Sequence, residues 1–278
     1  MQDQVANEIA GGYGILSMPI KGPQKFGLVA DVYTSSKYQK QGVFSKLGEL
    51  VRQPIKDEGF DLAVGFPVRP NVIPGHLKVG WQVAFKMPVF ISPSVLQVTL
   101  SAFSIFNRKY AVVNRKFSGV TNEVAKFLAK SHSQNLNDVK VAKSLEPSYL
   151  NWRLSRPGTE YTESIVFMGN EIAAWVISRK VKINGIRVWA ILEIQSASGF
   201  RRSIKFAVRS LGKKALVSNC HLIAGCWNKS YAEKLGINLM KGFVQHGAQK
   251  VIFREHSEEI NLPLENETEF SWLDSDTL

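Results

Sequence analysis

The spacing of apolar and polar positions changes twice along Phe26–Leu50. Leu28, Ala30 and Val32 alternate with Val29, Asp31 and Tyr33, a period of two that predicts a strand. Thr34 to Gln41 is polar, with Ser35, Ser36, Lys37 and Lys40, and predicts a loop. After Gly42, the apolar residues Phe44, Leu47, Leu50 and Val51 recur at helical spacing. This helix is expected to run to about Glu58, with Pro54 kinking or ending it. Asp61 to Pro67 predicts a short buried strand, Arg69 to Trp81 an Asn-bearing turn and short helix, and Trp81 to Ile91 another strand. Ser92 to Asn135 is less typical; within it Leu96 to Ala111 and Val120 to Ser131 predict helical or mixed connecting elements. Ahead of all this, Val5 to Met18 predicts a strand end, a turn at Asn7-Glu8 and a longer strand.

The polar stretch His132 to Asp138 places a linker between about Ser131 and Ser144. Two domains follow, 1–135 and 145–278. In the second, 163–168, 171–180 and 186–194 predict three strands joined at Gly169-Asn170 and Asn184-Gly185, both strong hairpin signals. Phe200 to Leu216 predicts a helix with Ile204, Ala207, Val208 and Leu211 on one face. His221 to Cys226 and Lys250 to Arg254 predict strands, with an Asn-led helix from Asn228 between them. The two halves thus repeat one plan of strands, helix, strand, Asn-led helix and strand.

A strand that feeds through a basic, Gly-containing turn into a helix makes an anion site. The unpaired N–H groups of the first helical turn and the helix dipole both favour negative charge. Gly42 allows the backbone a close approach that a side chain would block. Chemistry alone therefore assigns a phosphate-like anion to this turn.

The motif carries more. Gln39-Lys40-Gln41-Gly42-Val43-Phe44, with Tyr38 before it, resembles the pyrophosphate loop of the GCN5-related N-acetyltransferases, the GNAT superfamily. The last position departs from the usual Gly or Ala: Gly42-Val43-Phe44-Ser45 resembles the variant in acyltransferases of surface-polysaccharide clusters. Gly65-Phe66-Pro67, Asn71 and Gly80-Trp81 resemble the next GNAT segment, whose strand splays from its neighbour and leaves a gap for coenzyme A. Tyr149-Leu150-Asn151-Trp152-Arg153 resembles the opening of the second half of tandem GNAT-like proteins, and Phe270-Ser271-Trp272 with Asp274-Ser275-Asp276 the ending of the polysaccharide group.

The resemblance implies an α/β (α+β) fold of tandem GNAT-like domains, each a mixed, mostly antiparallel sheet flanked by helices. A strand and two helices usual before Phe26 are missing, so the first copy is expected to be shortened or to start late. The second copy lacks a pyrophosphate loop, since Gln195 to Phe200 has the wrong spacing. It is expected to build the acceptor cleft or to stabilise the first copy.

Composition narrows the class. With 278 residues and 45% hydrophobic content the chain can fill a core. It has no apolar run long enough to span a bilayer and no signal peptide at Met1-Gln2-Asp3-Gln4. Cys220 and Cys226 lack metal-ligand company and read as reduced, buried thiols of a cytoplasmic protein; no metal is expected. A net charge of +12 favours anionic partners. No RNA-binding signature or zinc-finger spacing accompanies it, so nucleic acid is not the partner it assigns. Oligomeric state is not legible.

The resemblance then assigns roles. Backbone N–H groups of Gln41, Gly42, Val43, Phe44 and Ser45 would hold pyrophosphate beside Gln39 and Lys40, and those of Val32, Tyr33 and Thr34 would hold the pantetheine and face the thioester. Asn71 would contact coenzyme A or cap its helix. His76, four residues before Gly80, would protonate the leaving thiolate, and an ordinary histidine pKa of about 6.5 suits that task. Asp31 would draw a proton from the amine, or instead face solvent or pair with Lys37. Trp152 and Arg153 would meet an anionic acceptor or anchor their domain, and Tyr231 would line the second cleft or pack in the core.

The expected reaction is acyl transfer from acetyl-CoA or another acyl-CoA to a small-molecule amine, an amino sugar that is nucleotide-linked, in polysaccharide biosynthesis. Two rivals stand beside it. One is a Fem-like aminoacyl transferase using charged tRNA, against which the intact Gln39–Gly42 loop argues. The other is a catalytically degenerate GNAT-like scaffold.

Overall fold

The computed structural model describes residues 2–3, 8–21, 25–67, 69–102, 109–135, 141–197, 200, 202–235, 242–256, 263 and 265–274. In chain order the strands are β1 (Gln2–Asp3), β2 (Glu8–Ile9), β3 (Gly11–Met18), β4 (Ile20–Lys21), β5 (Phe26–Thr34), β6 (Leu62–Gly65), β7 (Gln82–Pro93), β8 (Tyr110–Lys116), β9 (Val141–Lys143), β10 (Thr162–Met168), β11 (Glu171–Ile183), β12 (Ile186–Ser196), β13 (Leu222–Cys226), β14 (Val244–Glu255) and β15 (Thr268–Glu269). The helices are α1 (Val43–Leu50), α2 (Arg52–Asp57), α3 (Ile73–Lys78), α4 (Ser94–Ala102), α5 (Asn122–Asn135), α6 (Pro147–Arg153), α7 (Ser203–Val217) and α8 (Lys229–Leu235). They form two compact units, one from 1–86 and 249–265, the other from 87–248 and 266–274.

Unit 1 is a mixed sheet in the order β3-β5-β6-β14. β5 pairs antiparallel with β3 and parallel with β6, and β6 pairs antiparallel with β14. The parallel pair requires a crossover, and α1 and α2 supply it. Val43 and Leu47, four residues apart on α1, pack on Ala10 and Tyr38. Ala63, Val79, Trp81 and Ile252 form a second apolar cluster. The single helix expected to reach Glu58 is two helices that break at Val51. Pro54 lies in the first turn of α2, where its missing N–H breaks no helical bond.

Unit 2 repeats the plan with the order β7-β13-β12-β11-β10-β8. β12 and β13 are the parallel pair, and α7 is their crossover. Ile204, Val208 and Leu211 on α7 are buried in the unit's core. Each such burial contributes about 1.5–3 kcal/mol. The hairpin turn at Asn184-Gly185 has φ of 48° and 85°, the left-handed pair that this dipeptide favours.

Two features of the fold differ from the layout drawn on the sequence. Tyr110–Lys116, which starts at the end of the first helical or mixed stretch and runs through residues given no element, is strand β8 paired with β10. Its partners include polar ones: Arg115 Nε to Glu163 at 2.5 Å, and Ser164 Oγ donating to Asn114 Oδ1 at 2.6 Å. Apolar alternation could not reveal it. The division into 1–135 and 145–278 also does not coincide with the compact units. Around the expected linker, α5 runs to Asn135 and β9 begins at Val141; residues 136–140 lie outside the described residues.

The unit boundary falls instead inside β7, between Lys86 and Met87, and again inside β14, between Ala248 and Gln249. The cause is an exchange of strands. Val89–Pro93 of β7 pairs with β13 in unit 2, and Ile252–Glu255 of β14 pairs with β6 in unit 1. Arg254 on β14 also donates from Nη1 to the Gly48 carbonyl at 2.7 Å.

This exchange yields a stability prediction. A fragment ending at Ser144 lacks β14, so β6 loses a neighbour on a fully buried strand. The fragment should show no cooperative melt by circular dichroism, whereas the whole chain should. A cooperative fragment melt near that of the whole chain would contradict the exchange.

Candidate active site

The site grows from a parallel pairing that stops. β5 and β6 are in register from Phe26↔Leu62 through Leu28↔Val64 and no further, although β5 continues to Thr34. A cleft of about 880 Å³ opens there, within the usual range for ligand pockets. Residues 29–34 line one side and 65–67 the other, and residues of the basic loop and of α1 and α3 complete it.

A bulge shapes the β5 wall. Gly12 pairs with Tyr33 and Gly14 with Ala30, so Asp31 and Val32 together face one residue, Tyr13. Asp31 takes the left-handed conformation, φ 50°. The bulge draws the β5 backbone close to β3: a side chain at Gly11 would lie 2.7 Å from the Tyr33 carbonyl oxygen, and one at Gly14 2.9 Å from that of Ala30. These glycines escaped the sequence reading. Their signal was available, because three glycines in a short strand mark a bulge or a close approach.

The basic loop meets the cleft through Gln39, Lys40 and Gly42. Tyr38, buried, donates its hydroxyl hydrogen bond to Glu8 at 3.2 Å and fixes the loop to β2. Lys37 pairs with Glu8 at 2.8 Å on the exposed side, so it does not add charge to the cleft lining. Gly42 is the N-cap of α1, with φ 77° and no side-chain cap. The first amide bonded to it is that of Lys46, at 3.0 Å, which leaves the helical N–H groups of Val43 to Ser45 without a partner inside the helix. A side chain at Gly42 would meet nothing of the protein within 4 Å, so the space before the helix is open. That opening, the helix N-terminus and Lys40 together fit a pyrophosphate.

Phe44 has a local explanation. Its ring packs where a side chain on Gly75 would otherwise lie, 2.8 Å from the built Cβ position, and meets the His76 ring edge-on at 4.9 Å. The unusual loop residue is matched by a glycine on α3. Trp81 closes the other side of His76 at 5.5 Å. His76 lines the cleft yet is only 5% exposed, and its Nδ1 has no partner among the described residues. Burial lowers its pKa to about 4. The imidazole is therefore neutral near pH 7.

The cleft brings together Asp31, Val32, Tyr33, Thr34, Gln39, Lys40, Gly42, Val43, Phe44, Ser45, Asn71 and His76. Gln41 is the exception: its side chain turns away to donate to the Lys37 carbonyl at 3.0 Å. Trp152, Arg153 and Tyr231 do not line it. Tyr231 is 1% exposed and its hydroxyl donates to Glu193 at 2.6 Å, the core-packing alternative. Arg153 Nε donates to the Leu273 carbonyl at 3.0 Å, the anchoring alternative, and Trp152 is 53% exposed. Ser198, Gly199, Arg201, Ser275 and Asp276 lie outside the described residues. Among the described residues no cluster could hold a metal ion, and no helix is long and apolar enough to cross a membrane. Both cysteines are buried and neither forms a disulfide.

No protein-family model matches the chain, and no curated protein does. Solved structures do. A GCN5-related N-acetyltransferase from Anabaena variabilis is 14% identical with a TM-score of 0.62, over 91% of this chain and 61% of that one. A tandem GNAT protein from the clavulanic acid biosynthesis pathway is 11% identical with a TM-score of 0.65, over 91% and 81%. A probable N-acyltransferase of unknown function from Enterococcus faecalis is 11% identical with a TM-score of 0.58, over 90% and 60%. The fold is therefore that of the GCN5-related N-acetyltransferases, in a tandem arrangement. The chain spans about three fifths of the length of the Anabaena protein.

Burial of His76 gives a pH prediction. Its folded pKa, about 4, lies below the ordinary value of 6.5, so the unfolded chain takes up the proton first. Its contribution to stability is complete above pH 6.5 and is lost as pH falls towards 4. His256 shifts the same way, from burial and then from Arg254, Arg52 and Lys56. In His76→Leu, the fall in Tm between pH 6.5 and 4 should be smaller than in the parent. An unchanged fall would contradict a buried neutral imidazole.

Proposed function

We propose that the chain is an N-acyltransferase that takes its acyl group from acetyl-CoA or another acyl-CoA. The observation that carries this reading is the splayed, bulged strand β5 facing an open helix N-terminus across one cleft. Lys40 and the amides of Gly42 to Ser45 bind the pyrophosphate, Val32 to Thr34 offer backbone groups to the extended pantetheine, and Asn71 supplies a further polar contact. Bound acyl-coenzyme A would supply an activated thioester, whose C–S bond would break as the amine nitrogen bonds to the carbonyl carbon, releasing coenzyme A as its thiolate.

The chain's own groups manage protons and geometry. Asp31, exposed on the bulge, receives the proton that the amine loses. His76 stays neutral near pH 7, so it serves by orienting a hydrogen bond beside the sulfur, rather than as a charged acid. The acceptor is an amino sugar, nucleotide-linked, in cell-surface polysaccharide assembly. The Gly42-Val43-Phe44-Ser45 loop supports that choice by resemblance, and a net charge of +12 suits two anionic substrates. Reduced, buried thiols suit a cytoplasmic enzyme.

Two variants test the reading. Gly42→Glu should fold, because its side chain enters open space, with a backbone strain of about 1–3 kcal/mol. Calorimetry should show its coenzyme A affinity lost; an unchanged Kd would exclude the loop as the phosphate site. Asp31→Asn should lower kcat roughly a hundred-fold to ten-thousand-fold with little change in the Kd for coenzyme A. A kcat within about two-fold of the parent would remove Asp31 from the chemistry.

A further inference from the structure

Unit 2 contains the same parallel pair, but there the gap is filled by the chain itself. β12 and β13 are in register from Val188↔Leu222 through Ile191↔Gly225. An extra residue in β12, Leu192, follows at once against β11; in β5 the corresponding bulge against β3 comes at Asp31-Val32, after two further regular residues. Beyond that point both strands bond to a third segment. The Leu192 carbonyl accepts the N–H of Leu273 and the Cys226 carbonyl accepts the N–H of Trp272, each at 3.1 Å. Ser271 forms an antiparallel bridge with Trp227, whose indole covers Gly225 and leaves no room for a side chain there.

Side chains grip this segment along its length. Asn228 leads the helix after β13, as Asn71 precedes the one after β6. Its Nδ2 donates to the Thr268 carbonyl at 2.7 Å and its Oδ1 accepts the Phe270 N–H at 3.0 Å. Lys143, with a fully buried side chain, donates to Ser271 Oγ at 2.6 Å and to Asp274 Oδ2 at 3.1 Å, and it pairs with Glu193. Burial opposes the charge on Lys143, but Asp274, Glu193 and Glu269 outweigh it and raise its pKa above the usual lysine value. Phe270, Trp272 and Leu273 are buried as well.

We propose that Phe270–Asp274 is a built-in occupant of the second copy's cleft, so that each chain presents a single exchangeable cleft, the one in unit 1. The second cleft is formed for an extended, amide-bearing chain with a carboxylate, and the protein supplies one in cis. Trp227, Asn228 and Lys143 are the residues that hold it closed. The inference rests on the geometry of unit 2 and stands apart from acyl transfer.

Hydrogen exchange of the full chain, followed by mass spectrometry with and without coenzyme A, tests it. Peptides covering 268–274 should exchange as slowly as those of β12 and β13, and saturating coenzyme A should leave them unchanged. Asn228→Ala and Lys143→Met should each speed exchange of 268–274 by about ten-fold or more, with 26–34 unaffected. The proposal is overturned if the parent's 268–274 exchanges like a free peptide, or if coenzyme A speeds its exchange by displacing it. The parent measurement decides the matter even where a variant fails to fold. If coenzyme A protects no peptide anywhere, the acyl-transfer reading fails and the occupant remains.

Discussion

The structure depends on a parallel strand pair that is made to part. Between Leu28 and Val64, and again between Ile191 and Gly225, two strands stop pairing while at least one continues. Backbone groups of a buried strand must find partners. Each unit meets this demand differently. In unit 1 the continuing strand carries a bulge at Asp31-Val32 and lines an open cleft, where water or a ligand can satisfy it. In unit 2 the carbonyls of Leu192 and Cys226 are met by the amides of Leu273 and Trp272. One local irregularity thus borders an open cleft in one copy and a closed core in the other.

The same economy extends to the sheets. Each unit contains a strand from the other half of the chain, because Val89–Pro93 pairs with β13 and Ile252–Glu255 with β6. Ile252 lines the cleft of unit 1 although nearly two hundred residues separate it from Gly65, its partner in register. Pairings of such sequence separation carry a loop-closure cost before they add stability. They make the sheet of unit 1 wait on a strand from the end of the chain.

Much of unit 1 was legible because its signals are local. The period of two from Leu28 to Tyr33, the basic turn and Gly42 predicted β5, the loop and α1 within a few residues. Nearly every residue assigned to the first cleft on the sequence lines it. What escaped was set by partners distant in the chain. The fit of Phe44 depends on Gly75, and the burial of His76 depends on Phe44 and Trp81, so neither could be read from the residue alone. Strand β8 is held by its ladder with β10 and by Tyr110 and Val112 packed on a core distant in the chain, and the strand exchange likewise rests on distant partners. Tyr231 stood open between the second cleft and the core, and the hydrogen bonds to Glu193 and Gln195 place it in the core.

In the proposed complex backbone amides would bind the pyrophosphate, and side-chain substitution cannot remove them. The most direct measurement is therefore an amide chemical-shift titration of isotopically labelled protein with acetyl-CoA. The account predicts that the largest shifts fall on Val29–Thr34 and Gly42–Ser45, saturate at one equivalent, and spare Leu192, Trp272 and Leu273. Shifts centred on unit 2, or no saturable shift at either segment of unit 1, would contradict it.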